Sequence, residues 1–93
     1  MNYKRPKWAD VELPDFGNLI VLDIGCGPMK RNCSKRYYSI DISQKFKPHI
    51  VGDAHALPIK DEVVDVVLLL SVLEHVKSPE KVLEETFGQF IRT

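Results

Sequence analysis

The sequence has only two cysteines, no net charge and no long hydrophobic run. Cys26 and Cys33 stand seven positions apart, which matches no zinc-binding spacing. A disulfide between them is not expected in a reducing compartment. The histidines are scattered without a pattern of neighbouring ligands, so we expect no metal site; they are His49, His55 and His75.

The hydrophobic segments are too short for a membrane span. The longest, residues 63–70, is interrupted by Asp65, whereas crossing a bilayer takes about 20 apolar residues. The N-terminus has no hydrophobic stretch of signal-peptide length. We therefore expect a cytoplasmic protein of one small domain over residues 1–93, with no membrane partner.

The charges are unevenly distributed along the chain. Residues 1–47 hold nine Lys and Arg against five Asp and Glu, and residues 48–93 hold four against eight. Several of the basic residues lie between Lys30 and Arg36, beside a glycine turn. No aromatic residues interleave with them, which argues against a nucleic-acid partner and favours a solvated loop.

Four short segments predict β-strands, and one later segment predicts a helix. The strand segments are rich in β-branched and apolar residues, as is typical of a parallel sheet buried on both faces; they are 19–24, 36–42, 49–53 and 63–70. Residues 1–18 form an irregular lead-in, with a turn at "PDFGN". The crossovers between the first three strands are short, so we expect at least one sheet face to be poorly covered.

The helix begins at "SPEK", where Ser78 can cap it and Pro79 suits its first position. Apolar residues at helical spacing predict one buried stripe; they are Leu83, Phe87, Phe90 and Ile91.

Each of three successive strands ends in an aspartate: Asp23, Asp41 and Asp53. The carboxyl ends of parallel strands lie at one edge of a sheet, so the three carboxylates are expected to line one crevice. Gly25 and Gly27 let the backbone approach a ligand closely.

The glycine turn differs from two known phosphate-binding patterns. The dinucleotide pattern needs a glycine at position 30, where this chain has Lys30, and Pro28 removes one amide donor. No Gly-Lys-Ser/Thr follows, so a P-loop is excluded. The turn therefore predicts a nucleoside ligand without a pyrophosphate.

Three stretches match the motifs of one family. "VLDIGCGP", "YYSIDIS" and residues 52–85, "GDAHALPIKDEVVDVVLLLSVLEHVKSPEKVLEE", resemble the class I S-adenosylmethionine-dependent methyltransferases, particularly the ubiquinone and menaquinone biosynthesis branch. The resemblance implies an α/β, Rossmann-like partial parallel sheet of about four strands in the order 3-2-1-4, with few helices. It implies a cofactor-binding half over 19–85 and a divergent tail over 86–93, in a domain truncated at its C-terminus.

The resemblance also implies a role for each matching residue. Asp41 would accept hydrogen bonds from the ribose hydroxyls, and Ile42 would pack on the adenine. Asp53 and Ala54 would lie at the adenine edge, with Asp53 accepting from the exocyclic amine. The methionine part of S-adenosylmethionine would be wrapped by Asp23, Gly25, Cys26 and Gly27.

The segment after the fourth strand would lie under the cofactor, through Ser71, Val72 and Leu73. His75, close by, is a candidate general base, although it also suits an ordinary position before a helix. Cys26 is expected to be a small packed residue rather than a reactive thiol. No base-modifying motif stands at 71–74, so we expect a small-molecule methyl acceptor.

Two alternatives belong to other functional classes. The chain could be a non-catalytic interaction module derived from a methyltransferase, or a nicotinamide-dependent dehydrogenase, which would need a glycine at position 30. Strand 63–70 would be central in the full fold, and here one of its edges would lack a neighbour. Such an edge predicts association with a second copy or another chain.

Overall fold

The computed structural model describes residues 12–28, 30–59, 63–70, 72–73 and 75–89. Its strands are β1 (Ile20–Ile24), β2 (Arg36–Asp41), β3 (Ile50–Val51) and β4 (Val66–Leu68). They form one sheet in the order β3-β2-β1-β4, and all three strand pairs are parallel. The expected partial Rossmann-like α/β fold is therefore confirmed.

The sheet has a hydrophobic core on each face. Alternate residues of β1 point to opposite faces, and one face carries a cluster of Leu22, Ile24, Ile40, Leu57 and Val64. The other face carries a cluster of Val21, Cys33 and Leu68. Because β1 contributes to both clusters, its continuous apolar sequence is explained by burial on both sides.

The short crossovers leave part of the sheet open. Between β1 and β2 no helix forms within the described residues, and the next crossover holds only a short 3-10 helix (Gln44–Phe46). On the face that carries Leu22, a cavity of about 220 Å³ opens among apolar side chains. Tyr38, which lines this cavity, is 45% exposed. The described residues thus leave one face incompletely covered, in line with the short crossovers.

The α-helix α1 (Pro79–Gln89) begins where the sequence predicts. Ser78 Oγ accepts a hydrogen bond from Lys81 N at 3.3 Å, so Ser78 caps the helix. The predicted buried stripe is wrong at Phe87, which is 64% exposed, whereas Val82 and Thr86 are buried. Phe90 and Ile91 lie outside the described residues.

Thr86 can be buried because its hydroxyl is satisfied within the helix. Its Oγ1 donates to the carbonyl oxygen of Val82 at 2.8 Å. Val82 and Thr86 are four residues apart and therefore share one helix face. Threonine is not counted in an apolar stripe, which is why the sequence pattern identified the neighbouring face.

The strand β4 is shorter than the predicted segment 63–70. Asp65, just before it, makes two hydrogen bonds with Ile20: Asp65 N donates to Ile20 O at 2.9 Å, and Ile20 N donates to Asp65 Oδ2 at 2.8 Å. Within the described residues β4 pairs only with β1. The association of its outer edge with a second copy or another chain stays a prediction.

Candidate functional site

The glycine turn follows β1 directly and needs both of its glycines. Gly25 has φ +68° and Gly27 has φ +59°, a left-handed conformation that side chains disfavour. A Cβ on Gly25 would also lie 2.8 Å from Cγ2 of Val72, whereas a Cβ on Gly27 would meet nothing within 4 Å. The chain therefore packs tightly against Gly25 and leaves space beside Gly27.

The amides of this turn are tied to the end of β2. Gly25 N and Cys26 N donate to the Ile40 carbonyl oxygen at 2.8 and 3.3 Å. Gly27 N donates to Asp41 Oδ2 at 2.9 Å. The next residue, Pro28, has no amide hydrogen. The turn is thus held in place by the protein's own acceptors.

Asp41 connects the glycine turn to the chain that follows β2. While Oδ2 accepts from Gly27 N, Oδ1 accepts from Ser43 N at 2.8 Å. A carboxylate oxygen has two lone pairs, so each oxygen can accept a second hydrogen bond. Asp41 is half-buried and therefore remains accessible to a ligand hydroxyl.

Asp23 lies inside the protein rather than at the crevice. It is 2% exposed, and its Oδ2 accepts a hydrogen bond from the Tyr37 hydroxyl. Burial raises the pKa of Asp23 to about 6, an effect that the Tyr37 hydrogen bond and the charge of Arg31 partly offset. The expectation that all three strand-end aspartates line one crevice is wrong for Asp23, because Tyr37 on β2 covers its carboxylate.

Asp53 lies beyond the end of β3, in a turn closed by a bridge to Ala56. Its Oδ1 accepts from His55 N at 2.9 Å and contacts His55 Nδ1 at 2.6 Å. The backbone hydrogen bond from His55, with that of its side chain, lowers the pKa of the Asp53 carboxyl below its ordinary value. Asp53 is therefore an ionised, exposed acceptor.

His55 joins this turn to the start of α1. Ser78 N donates to His55 Nε2 at 3.3 Å, while Nδ1 faces the Asp53 carboxylate. Both contacts are satisfied by the neutral tautomer with its hydrogen on Nδ1. His55 was not predicted as a site residue, although its position two residues after an aspartate is typical of an Asx turn.

These segments surround a cavity of about 680 Å³, called here the strand-end cavity. Its volume lies within the range of about 300–1,000 Å³ found for small-molecule sites. Ile42 is 71% exposed and contributes apolar surface to it. The cavity is lined by Ile24, Gly25, Ile40, Asp41, Ile42, Gly52, Asp53, Ala54, His55, Val72, His75, Val76 and Lys77.

Most of the predicted site residues are brought together around this cavity. Those that line it are Gly25, Asp41, Ile42, Asp53, Ala54, Val72 and His75. Asp23, Cys26, Gly27 and Leu73 are not among its lining residues. Ser71 lies outside the described residues. Every described residue predicted to contact the adenosine part of a cofactor lines the cavity, and of the methionine set only Gly25 does.

The two cysteines are buried free thiols. Cys26 is 3% exposed, and burial raises the pKa of its thiol above the ordinary value. Burial also raises the pKa of Cys33. Thiols in such surroundings are poorly ionised, which fits packed residues rather than nucleophiles.

Two further properties of the described residues bear on the ligand. They contain no group of three or more His, Cys, Asp or Glu side chains that could hold a metal ion. None of their helices has the length and apolarity needed to cross a membrane.

At the cavity, Lys77 is a lining cation that was not predicted as a site residue. It stands immediately before the helix cap, a position that carries no ligand signal.

A search of the curated proteins finds no match for this chain. A family model described as a methyltransferase domain matches residues 22–89, which span the glycine turn, every described residue of the strand-end cavity and α1.

Proposed function

Since this chain belongs to the class I S-adenosylmethionine-dependent methyltransferase family, we propose that it binds S-adenosylmethionine in the strand-end cavity. Members of the family generally use this cofactor, which supplies an activated methyl group on a sulfonium. The chain's own residues would bind and orient it, and would exclude water from the reacting atoms.

The observation that carries the proposal is the convergence of four chain segments on one cavity. The ends of β1 and β2, the turn after β3 and the segment before α1 all contribute lining residues. Ligands of open parallel sheets bind at these carboxyl ends of the strands. The cavity volume of about 680 Å³ suits a ligand of nucleoside size.

The lining residues fit the adenosine part chemically. Ile42, 71% exposed, offers an apolar surface to the face of the adenine. The ionised Asp53 can accept a hydrogen bond from its exocyclic amine, and Asp41 can accept from the ribose hydroxyls. In the apolar lining beside them, Gly25 lets Val72 pack closely, because a Cβ there would lie 2.8 Å from Val72 Cγ2.

The methyl acceptor belongs to the same proposal. We propose a small molecule, as in the ubiquinone and menaquinone biosynthesis branch that residues 52–85 resemble. His75 lines the cavity and is the candidate general base where the acceptor must lose a proton. The alternatives of a dehydrogenase and a non-catalytic module are not favoured by the family match.

Isothermal titration of the full chain with S-adenosylhomocysteine tests cofactor binding. Ile42→Asp is the informative variant, because the side chain is exposed and its replacement leaves the core intact. We expect the dissociation constant to rise at least about tenfold, roughly 1.4 kcal/mol. Leu19→Asp is the matched control. Leu19 is also exposed (45%), but it lies just before the start of β1, at the end of the strands away from the cavity. No binding by the wild type, or equal binding by Ile42→Asp, would overturn the proposal.

We also propose that the chain self-associates through the outer edge of β4. Support comes from the pairing of β4 with β1 alone among the described residues, which leaves backbone donors and acceptors along an apolar strand. Size-exclusion chromatography with light scattering is expected to give the mass of a dimer. A monomer mass at all concentrations would contradict this.

A further inference from the structure

S-adenosylmethionine has two chemically different parts, and the described site complements only one of them. The nucleoside offers an aromatic ring, an amine and two hydroxyls. The methionine part carries an ammonium and a carboxylate. Binding the second part tightly requires an accessible carboxylate for the ammonium and free N–H donors or a buried cation for the carboxylate.

The glycine turn has no amide left for a ligand carboxylate. Its three successive amides, from Gly25 to Gly27, donate to Ile40 O and to Asp41 Oδ2. Pro28, the next residue, has no amide hydrogen. Opening any of these bonds to bind a ligand would exchange one hydrogen bond for another, with little net gain.

Asp23, the acidic residue among those expected to wrap the methionine part, is also engaged within the protein. Asp23 is 2% exposed and accepts from the Tyr37 hydroxyl, which in turn accepts from Arg31 N at 3.0 Å. Asp23 and Ile24 are consecutive on β1, so their side chains point to opposite faces of the sheet, and Ile24 is the one that lines the strand-end cavity. The buried Asp23 carboxylate is therefore not accessible to a ligand ammonium in that cavity.

Lys77 is the permanently charged cation among the described lining residues, and it is exposed. Ion pairs at exposed positions strengthen binding by less than about fivefold. His75 is the other exposed basic residue on this segment, and an ion pair with it would strengthen binding equally little.

From these observations we propose that the site recognises the nucleoside, and that the amino-acid part of the ligand contributes little to affinity. This inference rests on the proposed binding of S-adenosylmethionine and concerns which of its atoms are recognised. The inference predicts that this cavity binds 5′-substituted adenosine thioethers as a class. S-adenosyl amino acids are then only some of its ligands.

The test compares two thioethers that differ only in the amino-acid part. The full chain is titrated with S-adenosylhomocysteine and with 5′-deoxy-5′-methylthioadenosine. We expect dissociation constants within about tenfold of each other, and no binding of methionine alone. Lys77→Ala should change the S-adenosylhomocysteine value by less than about fivefold and leave the methylthioadenosine value unchanged.

The outcomes separate the two proposals. Binding of S-adenosylhomocysteine at least 100-fold tighter than methylthioadenosine overturns the inference and leaves the proposed function intact. Comparable binding of both ligands supports the inference. Binding of neither ligand overturns the proposed function, and the inference falls with it.

Discussion

The hydroxyl of Tyr37 donates a hydrogen bond to Oδ2 of Asp23, from β2 to β1 at the centre of the sheet. The pair holds the Asp23 carboxylate inside the protein, whereas three accessible carboxylates were expected at the ends of the strands. Asp23 is therefore not among the residues that line the strand-end cavity.

The buried Asp23 makes stability depend on pH in a defined direction. Its pKa is raised to about 6 in the folded chain, against about 3.9 for an unfolded aspartate. The folded state therefore binds the proton more tightly, and the contribution of this group to stability falls as pH rises from about 4 to about 6. A shift of this size corresponds to roughly 2–3 kcal/mol.

We expect Asp23→Asn to remove that part of the pH dependence. Urea unfolding at several pH values between 4 and 7 should show a flatter profile for the variant, while Glu84→Gln, at an exposed position, keeps the wild-type slope. Tyr37→Phe should shift the loss of stability to higher pH, because the hydrogen bond that it removes favours the charged form of the Asp23 carboxylate. A wild-type slope in Asp23→Asn would contradict the assignment.

Gly25 and Gly27 should differ in their tolerance of alanine. Gly27→Ala is expected to cost about 1–2 kcal/mol from the left-handed backbone alone. Gly25→Ala is expected to cost about 1–3 kcal/mol more, because its Cβ would lie 2.8 Å from Val72 Cγ2. Urea unfolding of both variants measures the difference.

The clash can be isolated with a double mutant. Adding Val72→Ala removes the contacting methyl, so the combined destabilisation should be smaller than the sum of the two single effects by about 1–2 kcal/mol. Strict additivity would show that the conformation of Gly25, and not its contact with Val72, sets the cost.

Glu85 should anchor α1 to the loop that covers the sheet. Its Oε1 accepts from Leu57 N at 2.8 Å, whereas among the described residues the adjacent Glu84 makes an exposed ion pair with Lys81 at 3.9 Å. We expect Glu85→Ala to destabilise the fold by about 1.5–3 kcal/mol, and Glu84→Ala by less than about 0.5 kcal/mol. Equal effects in thermal or urea unfolding would refute the anchoring role.

His55 should hold the start of α1 against the turn that carries Asp53. In His55→Ala, the Ser78 amide loses its acceptor, and its hydrogen exchange should accelerate about fivefold, as expected for a bond of about 1 kcal/mol. Lys77→Ala, one residue before Ser78, serves as the control. Nitrogen NMR of the wild type should show His55 protonated on Nδ1 and not on Nε2; the opposite tautomer would contradict the contact with Ser78.

The sequence pattern was sufficient to predict the four strands, because segments rich in apolar and β-branched residues mark them, and the family resemblance supplied their order in the sheet. Asp41 and Asp53 were also placed at the cavity by their positions at the ends of strands, and Ile42 was placed there by the family resemblance. Asp23 has the same local signal, but its burial depends on Tyr37, 14 residues away on the adjacent strand. No local pattern reports such a pair.

The helix shows a second reason why the structure could be predicted only in part, since its buried face was not the predicted one. Its apolar residues indicated the face of Leu83 and Phe87, yet the buried face carries Val82 and a threonine. A hydroxyl that bonds within its own helix costs little to bury, and the residue type alone does not reveal that bond.

The parallel order of the sheet has a consequence for how quickly the chain can fold. No strand pair is a hairpin: even the nearest aligned residues, Ile40 and Ile50, are ten positions apart, and Val21 pairs with Val66. Each pairing must close a loop before it gains any contact, which slows folding. The glycine turn has no acceptors until β1 and β2 have paired, because Ile40 and Asp41 supply them. The turn therefore forms slowly, but it has its final shape before a ligand binds.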